Sequence, residues 1–476
     1  MIPTVQSETS QVDARVEQKA PPLPGGKPGV EFAGEKLNDN HSAVAFVNQH
    51  FEFLRYVYTW RKWLFYNGKR WSLAEGNHRA MSLSREYARS LFDIARDMHR
   101  SNNPNAAIVA KFATKSNGKE RIKAIEELAR CDDRVAIDHL LLDKDKFLLN
   151  CQNGTIDLRD GSFVPHSPSD LLTQIAGVDY VPGAECPEWC NTMHHVFDGD
   201  EDLISYVQTL LGYSLAGITD EHILPICFGD GNNGKSTIWN TWSAIMGDYG
   251  GEVSSDLLLP RRDQHPTELA DLFGKRYVAV GEPESGSSIA EAKVKELTGE
   301  KTIKARRMRE DFWSFDCTHT FWLSTNHKPQ ISGTDEGIWR RVKLIPFTVD
   351  LKTVVKIDKS FPEKLKAEYP GILNWALDGW RNYQAAGLVE PQAVIDATSE
   401  YREEEDKIGR FIRETYVTNA KFVVGVTEAF EAYEKWGGFL KKLKFSAELA
   451  KRYKKVKHTT GKYRNKWVFE GIGLLS

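Results

Sequence analysis

A chain of 476 residues, 41% hydrophobic and 27% charged, exceeds what one core holds and reads as roughly two to four soluble globular domains. It has no run of about 18 apolar residues to span a membrane, and its six scattered cysteines exclude a disulfide framework. The net charge of −3 excludes a uniformly basic surface, yet Lys441 to Lys466 hold eleven Lys or Arg against the single Glu448.

Residues 1–40 include Ala20-Pro-Pro-Leu-Pro-Gly-Gly-Lys-Pro-Gly29 and show no amphipathic period, so they read as a disordered tail. No secretory signal opens the chain, and the cysteine usage suits a reducing cytoplasm. Trp60, Trp63, Phe65, Tyr66 and Trp71 surround Asn67-Gly68, a strong hairpin signal. Residues 80–130 predict helices broken at Lys115 to Lys119, and Phe147 to Phe163 predict a β-meander. A helix is expected from about Ile204 to Leu215. Asp143 with Asp145, and Asp198 with Asp200, lie in polar turns or at helix starts where Asp bonds its own backbone. Cys186, Cys190, His194 and His195 form the one metal-like cluster, in a helical context that explains the cysteines as small apolar groups.

The chain is organised around Gly229-Asp-Gly-Asn-Asn-Gly-Lys235-Ser236-Thr237, set between the apolar run Ile223 to Phe228 and a helical run to Met246. It fits G-x-x-x-x-G-K-[ST] at every fixed position. Gly229, Asn232, Asn233 and Gly234 would turn backbone N–H groups towards phosphate oxygens. Lys235 would neutralise the β- and γ-phosphates of ATP, and Ser236, followed by Thr237, would ligate Mg²⁺. Lys275 to Glu284 is an apolar strand ending in acids, with Glu282 as the better candidate to hold Mg²⁺ through water and Glu284 as its understudy. Alternation at Ile303, Ala305 and Phe312 predicts a hairpin carrying Lys304 and Arg306, with Arg307 and Arg309 at its tip for nucleic-acid phosphates. Thr320 to Asn326 is a further buried strand whose closing amide could orient water or the γ-phosphate. Arg340 and Arg341 offer the cation that an ATPase working between subunits needs in trans.

Together these residues resemble the superfamily 3 helicase domain of phage and plasmid primase-helicases, the group that includes the poxvirus primase-helicase. The likeness runs from about Phe147 to Phe411. It rests on Asn153-Gly-Thr-Ile-Asp-Leu158, Cys186-Pro-Glu-Trp189, Gly229 to Thr237, Val280-Gly-Glu-Pro-Glu284, Lys295-Glu-Leu-Thr-Gly299, Thr325-Asn-His-Lys-Pro329 and Gly337-Ile-Trp-Arg-Arg341. It implies a hexameric, ATP-driven 3′-to-5′ DNA translocase of a mobile element in a bacterial host, acting on single-stranded and duplex DNA. Lys235 and Ser236 would then form Walker A and Glu282 Walker B. Asn326 would be sensor 1, Arg341 the favoured arginine finger over Arg340, and Lys304, Arg306, Arg307 and Arg309 the channel hairpin. The family commonly continues Leu-Thr-Gly with Gly-Asp, whereas Glu300-Lys301 follows here.

The expected fold is α/β, with a P-loop, AAA+-like core at 206–350 between a mixed α+β oligomerisation region at 41–205 and a helical extension at 351–419. A basic winged-helix-like domain at 420–476 completes it. There Val426 to Trp436 and Phe445 to Tyr453, capped by Ser446, predict helices, and Lys462, Arg464 and Lys466 lie on a wing facing DNA. Primase activity is expected from a separate protein. An ATP-switched origin-binding initiator is the main alternative reading. A small-molecule kinase leaves the arginine pair and the basic hairpin without a task.

Overall fold

The computed structural model describes residues 37–260, 266–331, 335–354, 358, 360–438 and 440–474, so the expected tail lies outside them up to residue 36. The chain divides into two compact units, Met1–Asp145 with His166–Thr173, and Lys146–Pro165 with Gln174–Ser476.

In the first unit, α1 (Asp39–His50) precedes β1 (Leu54–Val57), β2 (Lys62–Tyr66) and β3 (Trp71–Ser72). β2 and β3 are antiparallel around the expected Asn67-Gly68 turn, where Gly68 takes φ +92°. Helices α2 (Leu73–Arg100), α3 (Ala106–Ser116) and α4 (Lys119–Ala129) follow, then β4 (Ala136–Ile137) beside β1. Residues 166–173 return to this unit, where Trp71 donates from its backbone N–H to the Leu172 carbonyl at 2.8 Å and from its indole to the Pro168 carbonyl at 2.9 Å. The core gathers Phe46, Trp63, Tyr87, Leu91 and Ile125.

The second unit opens with the meander β5 (Leu148–Cys151), β6 (Gly154–Asp157) and β7 (Ser162–Val164). The expected region 41–205 therefore parts after Asp145: Leu149, Cys151, Ile156 and Leu158 of the meander pack in one core with Trp189, Trp242 and Trp380. α5 (Pro187–Val196) starts on a proline, and the Glu368 carboxylate accepts from the Glu188 and Trp189 N–H groups at 3.0 and 2.9 Å, satisfying donors no helix can satisfy itself. α6 (Glu201–Tyr213) is capped by the Asp200 side chain.

Next come β8 (Leu224–Phe228), α7 (Lys235–Met246), β9 (Gly250–Val253), the short α8 (Pro266–Ala270), β10 (Tyr277–Val280), α9 (Glu291–Gly299), the hairpin strands β11 (Thr302–Ala305) and β12 (Trp313–Asp316), β13 (Thr320–Thr325), α10 (Glu336–Trp339) and β14 (Val342–Pro346). Five of these strands form a wholly parallel sheet in the order β14-β8-β13-β10-β9. Such strands are buried on both faces, which explains the apolar runs of β8 and β10, whereas Lys343 interrupts β14 and the edge strand β9 is Gly-Gly-Glu-Val. The β11–β12 hairpin is inserted in the chain between the neighbouring strands β10 and β13.

Only Cys317, Thr318 and His319 join the hairpin to β13. Cys317 and His319 are buried, and the Thr318 hydroxyl donates to the Lys275 carbonyl at 2.6 Å. Burial pushes His319 from its ordinary value of 6.5 down to about 3, so the folded ring stays neutral. The unfolded chain takes up that proton near pH 6.5 and the folded one does not. The stability is fully present above about pH 6.5 and is lost on acidification, at about 1.4 kcal/mol per pH unit, until pH nears 3. Urea unfolding at pH 7.5 and 5.5 should therefore show a smaller pH loss in His319→Phe than in wild type, by about 1.4 kcal/mol. Equal losses would rule out His319 as the titrating group.

Helices α11 (Leu351–Val354), α12 (Phe361–Ala367), α13 (Tyr369–Ala386) and α14 (Gln392–Glu405) follow. The terminal module runs α15 (Lys407–Thr415), β15 (Tyr416–Gly425), α16 (Val426–Lys435), α17 (Lys442–Ala450), β16 (Lys455–Lys457) and β17 (Trp467–Leu474), with sheet order β15-β17-β16. It begins near Lys407 rather than 420, because Phe411 is buried against Tyr433 and Phe445. Ser446 is no cap. α17 starts after Lys441, and Ser446 sits inside it, buried, accepting from the Lys455 ammonium at 2.8 Å.

Candidate functional site

Because the five sheet strands are parallel, their C-terminal ends share one edge, the usual place for ligands on such sheets. The Gly229–Gly234 loop leaves β8 there, Glu282 lies two residues past β10, and Asn326 directly follows β13. Two glycines are obligatory. A Cβ at Gly229 would come within 2.0 Å of the Phe347 carbonyl oxygen, and Gly234, at φ +86°, would drive one to 2.5 Å from Val196. Asn232 also takes a left-handed conformation, φ +64°.

Lys235, at the first position of α7, is buried, and its ammonium donates to the Gly229 carbonyl, to Asn233 Oδ1 at 3.1 Å and to Asn326 Oδ1 at 3.1 Å. Burial pulls its pKa below the ordinary lysine value, with the Glu282 and Asp230 carboxylates opposing. The Asn326 backbone N–H donates to Glu282 Oε1 at 2.7 Å. Asn326 thus bridges the lysine and the acid. Asn233 is buried and donates from Nδ2 to the Phe347 carbonyl at 3.1 Å, tying the loop to β14. Ser236, Glu282 and Glu284 are exposed, and Thr237 is half-buried.

A cleft of about 440 Å³ beside the loop is lined by Phe228, Asp230, Lys328, Phe347 and Glu400 among others. Lys328 pairs with Glu404 at 2.8 Å and lies 5.1 Å from the Phe228 ring centre. Nothing in the sequence assigns Lys328 a role beyond its position two residues after Asn326.

The arginine pair separates. Arg340 is exposed, whereas Arg341 is buried, donating from Nε to Thr298 Oγ1 at 3.1 Å and from Nη1 to the Gly337 carbonyl at 2.6 Å. On the hairpin, Ile303 and Ala305 point inward as expected, but Phe312 does not. It precedes β12, is 50% exposed, and lies 5.1 Å from the Lys304 ammonium and 4.8 Å from the Arg306 guanidinium. Arg309 is exposed at φ +62°, and Arg307 leans back on Trp313 at 5.4 Å, half-buried. On the terminal module Lys462, Arg464 and Lys466 are all exposed in the β16–β17 turn.

The other polar clusters hold structure. Asp143 accepts from the Thr173 N–H, Asp200 caps α6, and Cys186 and Cys190 have sulfurs 3.9 Å apart. Among the described residues no group of three or more His, Cys, Asp or Glu is arranged to hold a metal ion, and no helix is long and apolar enough to cross a membrane.

Residues 43–198 match the family described as D5 N terminal like, and residues 227–341 match a family described as of unknown function. The chain is 28% identical over 319 residues to a candidate helicase of Acanthamoeba polyphaga mimivirus, covering 62% of this chain and 33% of that protein. It is 22% identical over 379 residues to a candidate helicase of Frog virus 3 (isolate Goorha), covering 62% of this chain and 39% of that protein. The chain thus carries a D5 N terminal like region at residues 43–198. These matches span only about a third to two-fifths of the viral proteins' lengths. In fold, the chain is similar to an apo structure of the NrS-1 C terminal region, with a TM-score of 0.54 at 10% identity over 91% of this chain and 99% of that one.

Proposed function

We propose that the chain is the ATPase motor of a replicative DNA helicase from a virus or other mobile element, working as a hexamer that translocates 3′ to 5′. The observation that carries this reading is the Lys235–Asn326–Glu282 chain of contacts on the shared sheet edge, with a basic hairpin spliced between the strands that supply Glu282 and Asn326. The strand order, with the loop-bearing strand between β14 and β13, supports an AAA+-like core.

The residues fit a nucleoside triphosphate with Mg²⁺. A buried ammonium set in a glycine loop suits phosphate oxygens, and the exposed Ser236 hydroxyl and Glu282 carboxylate are hard oxygen ligands of the kind Mg²⁺ takes. The metal would supply charge neutralisation at the β- and γ-phosphates. Lys235 would leave the Gly229 carbonyl for phosphate, Asn326 would hold the attacking water against Glu282, and Glu282 would polarise it. Arg340, the exposed member of its pair, is the arginine free to reach a neighbouring subunit. Lys304, Arg306 and Arg309 would meet a DNA strand at phosphates, and Phe312 between them offers a ring on which a base can stack.

The terminal module's order of helix, strand, two helices and a basic hairpin supports a winged helix that would set α17 in the major groove. Lys462, Arg464 and Lys466 would then touch backbone phosphates. Changing all three to Ala should leave ATP turnover intact and make the salt dependence of duplex binding shallower by about 3 in log–log slope. An unchanged slope would remove the wing from the DNA contacts. Priming is left to a separate protein. Strand displacement on forked DNA tests the whole reading: ATP hydrolysis without unwinding would favour an ATP-switched initiator.

A further inference from the structure

The first unit carries unpaired positive charge that none of the sites above uses. α3 and α4 meet at the two-residue elbow Asn117 and Gly118. The Asn117 amide donates to the Ala88 carbonyl of α2 at 2.8 Å and to the Ala113 carbonyl at 2.9 Å, which pins the elbow in place. Val109 and Ala113 of α3 and Ile125 and Ala129 of α4 are buried, so Lys111, Lys115, Lys119 and Lys123, all exposed, stand on the outward sides.

Each helix holds its two lysines four residues apart, on one face and about 6 Å along the axis. Like charges at that spacing disfavour a helix unless something outside neutralises them. Some cations of the unit are paired, Arg96 with Asp93 at 2.7 Å, Arg134 with Asp132 at 2.6 Å, and Arg121, on α4 itself, with Asp39. Among the described residues none of the four lysines forms an ion pair, and Glu120 is the one acid between Asn105 and Lys123.

We propose that this lysine elbow binds the phosphodiester backbone of DNA, as a contact separate from the hairpin and from the terminal module. Lysine suits the task. A compact ammonium on a long flexible stem acts as a point charge and reads phosphate without fixing base sequence.

The test uses the full chain without nucleotide, measuring fluorescence anisotropy of a labelled duplex and of the matching single strand at salt from 50 to 200 mM. The K111Q/K115Q/K119Q/K123Q variant should bind duplex with a slope shallower by about 3 to 4, and single strand by about 2 to 3, whereas four Lys→Arg changes should keep both slopes. Equal slopes for wild type and the Gln variant overturn the elbow contact alone. A wild type that binds neither DNA overturns it together with the helicase reading. Circular dichroism of the variant guards against misfolding, which four exposed substitutions should not cause.

Discussion

Lys235→Ala is expected to reduce ATP turnover by at least about 10²- to 10³-fold, the cost of deleting a pre-placed charge donor at a phosphate site. The fold should survive. The ammonium's partner Gly229 is buried, but Asp230 and Gly231 beside it are exposed, so water entering the space the side chain leaves can bond the Gly229 carbonyl. The melting temperature should move by less than about 5 °C. Turnover measured alongside thermal melting decides the matter: retained hydrolysis at unchanged stability would remove the glycine-rich loop from nucleotide chemistry.

Arg340 and Arg341 are expected to fail in different ways. Arg340→Ala should lower turnover by roughly 10³-fold, the scale of an arginine finger, with normal melting. Arg341→Ala should instead destabilise the chain by about 1–3 kcal/mol, because Thr298 Oγ1 and the Gly337 carbonyl lose a donor in a buried place. Mixing supplies the decisive measurement. Arg340→Ala subunits combined with Glu282→Gln subunits should regain part of the activity, since some interfaces in a mixed ring keep both groups. No recovery in proven mixed oligomers, or loss of turnover in Arg341→Ala at full stability, would return the finger to Arg341 or place it within its own chain.

What the sequence made legible was local. The glycine loop, the acid-ended strand and the Asn-ended strand each announce themselves within about ten residues, because backbone conformation and phosphate chemistry constrain neighbours in sequence. The hairpin was legible from alternation, yet Phe312 fell on the wrong side because the pattern cannot show where strand gives way to loop. Arg341 could not be placed from its doublet. Its burial depends on Thr298, 43 positions away on α9. The same holds for the meander, whose allegiance is set by tryptophans far along the chain, and for Ser446, where a capping residue type sits mid-helix because Phe445 and Leu449 must face the core together.

The Cys317–His319 joint gives the hairpin an unusual mechanical property. Three residues are about 10 Å of chain at most, and two of these are packed without slack while the third is stapled to the carbonyl that precedes β10. A tug on the hairpin tip has no compliant linker in which to dissipate. Under the function proposed above it would arrive as a displacement at the root of β10 and β13, the strands that lead to Glu282 and Asn326, and the hairpin would work as a stiff lever on the parallel sheet. Load and hydrolysis would then be geared through covalent continuity, with no domain interface needing to slip or re-form between them.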